Sequence, residues 1–232
     1  MLRVIDEGLD LIRAGLTQTQ NFLPSESNAT FHLLVSDIGE VYYLPRLVSH
    51  LRRVAPGVRL RVTQLTGRSH AEMLESSRAD LAVGYLARPV GRLRRQKLFS
   101  EEFICMCRDG HPGISDVPTL DEYRRAAHVC VSRRTRREEI VDDALARIGL
   151  EREVVLTLPH FMAAAAVVSE TDLVMTVPRR FSQTMPACAG LRSLPLPFEV
   201  PSFSVCMFWH ERMQKDKANQ WLRRTFADLF RT

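Results

Sequence analysis

From Phe31 onward the chain alternates short β-patterned runs with helical ones, and this alternation narrows the fold more than any other feature. Phe31–Val35, apolar apart from His32, reads as a buried strand. Asp37-x-x-Glu40 then reads as a capping box that opens a helix with Leu44, Leu47, Leu51 and Val54 on its apolar face. Pro56-Gly57 ends that helix. Val58, Leu60 and Val62 alternate with Arg59, Arg61 and Thr63, which predicts a strand with two unlike faces. A second capping box, Ser69-x-x-Glu72, opens a short helix to Ser77, and Asp80–Tyr85 is a third strand. The order βαβαβ predicts a mainly parallel sheet with helices on both faces.

A second unit of the same kind follows. Leu98–Cys107 and Phe203–Trp209 read as long strands. Between them come a helix opened by Thr119-x-x-Glu122, a strand at His128–Val131 and a helix at Glu138–Ile148. A strand at Val154–Leu158, a helix at His160–Val168 and a strand at Leu173–Val177 complete it. The chain ends in an amphipathic helix with Trp221, Leu222, Thr225, Phe226 and Leu229 on one side.

Ahead of all this lies a narrow heptad seam, Leu2, Ile5, Leu9, Ile12 and Leu16. So short a helix needs a partner, either its own twin or the body of the protein. Leu23–Asn28 is a turn-rich linker.

Composition excludes several classes. The 232 residues are 45% hydrophobic and 25% charged, as in a soluble globular protein. No apolar run approaches the roughly 20 residues needed to cross a bilayer. Asp6, Glu7 and Asp10 interrupt any signal-peptide core, so the cytoplasm is expected. The five cysteines fall at scattered positions with no metal spacing and read as buried thiols. The net charge of +5 gathers at Arg88–Lys97 and Arg133–Arg137, without the aromatics or motifs of a nucleic-acid surface. Nucleotide-binding and hydrolase signatures are absent, and the adjacent pairs Glu101-Glu102 and Asp142-Asp143 point apart. An enzyme is not expected, nor a cofactor or a metal.

Several stretches together resemble the regulatory domain of LysR-type transcription regulators. They are SDIGEVYYLPRLVSHLRRVAPGVRL (Ser36–Leu60), DLAVGY (Asp80–Tyr85), LFSEEFICMCRDGHP (Leu98–Pro112) and LPHFMAAAAVVSETDLVMTVPRRF (Leu158–Phe181), with FWH at Phe208–His210 and the closing WLRRTFADLF. The resemblance is to the branch answering to aromatic acids and flavonoid-like inducers, the salicylate/nitroaromatic and nodulation regulators. It implies an α/β fold of two Rossmann-like lobes, periplasmic-binding-protein-like, behind an N-terminal linker helix. Residues 1–22 would be the linker and dimerisation helix, with the seam above as its contact, and 23–29 a connector. Residues 30–100 with 210–232 would form the first lobe and 101–209 the second, joined by two crossover strands. The family's N-terminal winged helix-turn-helix is expected to be absent from this sequence, so promoter DNA would be reached only through that domain. The partners implied are a small aromatic effector and further copies of the chain, as dimer or tetramer. A solute-binding protein of a transport system is the alternative on the same fold.

The resemblance also places the effector, in the cleft between lobes, where open α/β sheets bind ligands beyond the carboxyl ends of their strands. Ser36 matches a hydroxyl position there, and Asp37 beside it either meets the effector or caps a helix. Tyr43 would stack on a planar ligand or pack in the core. Thr176 and Arg180 match a strand end and the turn after it, with Arg180 a carboxylate clamp or a surface arginine. His160 and Phe161 begin a helix at the lobe junction, His160 donating to the effector or capping. Glu101 and Val205 should line the cleft floor. An acid at Glu101 would repel a carboxylate effector unless protonated or paired with Arg180.

Overall fold

The computed structural model describes residues 22–65, 69–86, 92–131, 137–183 and 190–232. The seam Leu2, Ile5, Leu9, Ile12 and Leu16 and most of the basic run Arg133–Arg137 lie outside them.

Two five-stranded sheets organise the chain. The first joins β1 (Thr30–Val35), β2 (Arg59–Gln64), β3 (Leu81–Gly84), β4 (Leu93–Glu101) and β10 (Phe203–His210), in the order β2-β1-β3-β10-β4. The second joins β5 (Phe103–Arg108), β6 (Ala127–Val131), β7 (Glu153–Leu158), β8 (Leu173–Pro178) and β9 (Leu191–Leu194), in the order β7-β6-β8-β5-β9. Each sheet has three parallel strands followed by one that runs against its neighbours on both sides, β10 in the first and β5 in the second.

Helices cover both faces of each sheet. In the first lobe α1 (Asp37–Val54) and α7 (Lys217–Phe230) close one face over Leu33, Val35, Leu47, Leu51, Phe226 and Phe230. α2 (Ser69–Glu75) covers the other, over Leu34, Leu74, Ala82 and Phe208. In the second lobe α5 (Phe161–Ser169) and α6 (Arg179–Gln183) pack on Ile104, Met106, Val129 and Val177. On its opposite face, α3 (Leu120–Arg125) and α4 (Arg137–Arg147) enclose Cys105, Cys107, Tyr123, Val141 and Leu145. The fold is thus the expected α/β pair of lobes, each three layers deep.

Three local expectations are corrected. The cap of α1 is Ser36, whose Oγ accepts from the Gly39 N–H at 3.3 Å, one residue earlier than the box read at Asp37. A Cβ on Gly39 would stand 2.4 Å from a Val35 methyl, so glycine lets α1 close onto β1. The buried stripe of α1 is therefore Gly39, Tyr43, Leu47 and Leu51, and Val54 faces solvent. Finally, Leu98–Cys107 is not one strand: the chain leaves the first sheet at Glu101 and enters the second at Phe103. The return passage runs through 195–202, and β10 lies wholly in the first sheet.

Candidate functional site

The ends of β1, β7 and β8 meet where the lobes touch, and two contacts hold them there. Asp37, the first residue of α1, reaches across 124 positions of sequence to accept the Phe161 N–H at 2.6 Å. That N–H opens α5, whose N-cap His160 supplies no side-chain cap. A carboxylate at a helix N-terminus satisfies an orphan donor and meets the positive end of the helix dipole. Asp37 does cap a helix, but one belonging to the other lobe.

The second contact is centred on Arg180, the second residue of α6. Its guanidinium lies 3.9 Å from the centroid of the Phe99 ring. Nη1 donates to the Ser100 carbonyl at 3.1 Å and stands 3.6 Å from the Glu101 carboxylate, while Nη2 donates to Thr232 Oγ1 at 3.1 Å. Glu101 is buried, and its other oxygen accepts the Glu102 N–H at 3.0 Å. The neighbouring Arg179 repeats the clasp, through its N–H to the Glu102 carbonyl at 2.7 Å and its side chain to the Glu102 carboxylate at 3.2 Å. The start of α6 therefore grips the point at which the chain changes sheets.

Of the nine residues expected at the cleft, Ser36, Tyr43, Glu101, Arg180 and Val205 border one inter-lobe space of about 30 Å³. Such a space holds water, not an aromatic ring. Tyr43 is 3% exposed and sits edge-on to Phe230, with ring centroids 4.9 Å apart, so most of its ring belongs to the first core. Phe161 and Thr176 border a second, smaller space with Phe103, Cys130 and Arg152. Thr176 is held by the Tyr123 hydroxyl at 2.7 Å. Burial pushes that hydroxyl's pKa up to about 12, so it stays a neutral hydrogen-bonding group. Pro178 borders both spaces. Asp37 and His160 stand at the lobe contact, bordering neither.

Sequence reasoning passed over several residues. Tyr85 and Phe203 also wall the first space and pack edge-on, 5.1 Å apart, and Phe203 meets Phe103 across the lobe boundary at the same distance. The position of Tyr85 at the carboxyl end of a strand could have marked it. Arg152 had no such signal: it bridges to Asp142 at 2.8 Å from an irregular stretch before β7. Among the described residues no cluster of three metal-ligating side chains occurs, and no helix is long and apolar enough to cross a membrane.

The model of the LysR substrate binding domain matches residues 24–231. The chain belongs to the LysR family of transcriptional regulators. It is 33% identical over 222 residues to the HTH-type transcriptional activator NagR of a Ralstonia species, covering 96% of this chain and 74% of that relative. Nodulation protein D 1 of Rhizobium tropici is 26% identical over 225 residues, covering 96% and 72%. Among solved structures, the regulatory domain of MexT, a transcriptional activator in Pseudomonas aeruginosa, superposes with a TM-score of 0.78 at 30% identity, covering 86% of this chain and 98% of that regulatory domain. The structure described as the probable transcriptional regulator PA0477 from Pseudomonas aeruginosa reaches 0.86 at 30% identity, covering 97% and 75%. These LysR relatives are regulators, not enzymes or transport proteins, so the two-lobed unit is an effector-binding domain and the solute-binding alternative falls away.

Proposed function

We propose that this LysR domain senses a small aromatic carboxylate between its lobes, and that Arg180 takes the carboxylate in exchange for Glu101. One observation carries the reading: a guanidinium reaching from the second lobe to the first already has a buried carboxylate 3.6 Å away. On this reading Glu101 stands in the place proposed for the effector's charge. The flat face of Phe99 and the Ser36 hydroxyl at the start of α1 offer the ring and its substituents their neighbours. Tyr43 and Val205 wall the space. Thr176 and Phe161 border the smaller space on the other side of Pro178, and the Asp37–Phe161 contact beside His160 must loosen before a ring can enter.

An effector that replaces Glu101 at Arg180 changes what holds the lobes together, and so favours one arrangement of lobes over another. The linker helix over 1–22, paired along Leu2, Ile5, Leu9, Ile12 and Leu16, would carry that change between copies in a dimer or tetramer. Promoter DNA would feel it through an N-terminal winged helix-turn-helix, in the cytoplasm. A thermal-shift series with sodium salicylate, sodium benzoate and neutral benzyl alcohol tests the reading. An acid at about 100 times its Kd should add roughly 2.7 kcal/mol of stability, with benzyl alcohol adding little. No shift from any aromatic acid would contradict the aromatic assignment, and equal shifts from the alcohol would contradict the exchange at Arg180.

A further inference from the structure

β10 has a second inter-lobe space on its other face. Phe203 and Val205 look toward the small cleft, whereas Ser204, Cys206 and Phe208, alternate residues of the same strand, line a groove of about 430 Å³. The Tyr85 and Phe203 rings border both spaces and partition them. Opposite the strand, Ile140, Asp143 and Arg147 of α4 face the groove from the second lobe, at the spacing of one helical stripe. Arg95 of β4, directly across from Phe208 in the sheet register, closes it from the first lobe.

The charges here contrast with those around Arg180. Arg95, Arg147 and Asp143 make no hydrogen bond or ion pair with other described residues, although Asp142 next to them is taken by Arg152. Among the described lining residues, two guanidinium groups against one carboxylate leave a single positive charge to be matched, between walls supplied by Tyr85, Leu86 and Phe208. The volume falls within the range of small-molecule sites, about 300–1,000 Å³.

We propose that this groove is a second small-molecule site, for a planar aromatic carboxylate carrying one charge, with Arg95 and Arg147 as its cations, one from each lobe. Asp143 selects against a second negative charge. The site goes beyond the cleft reading, since Ser36, Glu101 and Arg180 do not border it.

Titration calorimetry of the full chain with sodium 1-naphthoate, and with neutral 1-naphthalenemethanol as control, tests it. Arg95 and Arg147 are exposed and make no ion pair with other described residues, so R95Q/R147Q should leave folding intact. Naphthoate affinity in R95Q/R147Q should fall by about tenfold or more, with the alcohol unaffected, and D143N should tighten naphthoate several-fold. An unchanged naphthoate affinity in R95Q/R147Q overturns the groove site. If R180Q then abolishes the binding, the cleft reading stands alone. The absence of any naphthoate binding by the unmodified chain overturns the groove site as well, and the salicylate and benzoate series then judges the cleft separately.

Discussion

The two lobes share a strand order and differ in what they hide. The first buries rings and branched chains against its main face: Phe226 and Phe230 of α7 lock against Tyr43 of α1, with Leu33 and Leu47 beneath. The second places titratable groups at the centre of its sheet. His128 is fully buried, bonded through Nε2 to the Tyr123 carbonyl at 2.8 Å and tilted against the Tyr123 ring with centroids 4.6 Å apart. Cys105, on the same face, has its thiol pushed up to about 12 by burial, and the His128 imidazole is pushed down to about 4 by the same cause. All of these groups are kept neutral. The aromatic face of the first lobe thus rests on packing, whereas this face of the second rests on protonation state as well; the first lobe also buries Asp37, His70, Glu101 and Arg223, outside that cluster of rings.

The strongest challenge to that contrast is a cavity in the first lobe. Phe226→Ala removes a fully buried ring with partners on both sides and should cost about 3–5 kcal/mol, read by urea unfolding. A cost under about 1 kcal/mol would mean that α7 is not part of the first core.

Acid should single out the second lobe. His128 titrates at about 4 when folded and near 6.5 when exposed, so its neutral form favours the folded state. That stability is complete above pH 6.5, drains as the pH falls through the interval, and has gone below about 4, a loss of about 3 kcal/mol. A His128→Gln chain should lack this part of the acid sensitivity. The same decline in both chains between pH 7 and 4.5 would remove His128 from the account.

A smaller effect is expected at the junction. Asp37→Ala strips the Phe161 N–H of its acceptor and should cost about 1.5–3 kcal/mol, with faster amide exchange at the start of α5. Unchanged exchange there would show that the lobes do not depend on this bond.

Much of this architecture was legible from residue patterns, because β2 carries its burial in its alternation and β1 in its apolar composition. The polar run Ser100-Glu101-Glu102 between Phe99 and Phe103 also fits the exposed side of one long strand, yet the chain switches sheets there, where the buried Glu101 carboxylate accepts the next backbone N–H. α6 was unseen because five residues after Pro178 are too few for a period. At the candidate site, the sequence brought Ser36, Glu101, Arg180 and Val205 to one space but could not say what Arg180 would touch. Phe99 and Thr232 reach it only through tertiary folding, as Asp37 reaches Phe161.

The exchange at Arg180 is the centre of this account, and salicylate affinity measured for three chains tests it most directly. Glu101→Gln removes the competing charge yet keeps an oxygen for the Glu102 N–H, so it should tighten salicylate by about tenfold. Arg180→Gln should weaken it by at least as much. If all three chains bind salicylate with the same Kd, within about twofold, Arg180 does not hold the effector and the account of this site is wrong.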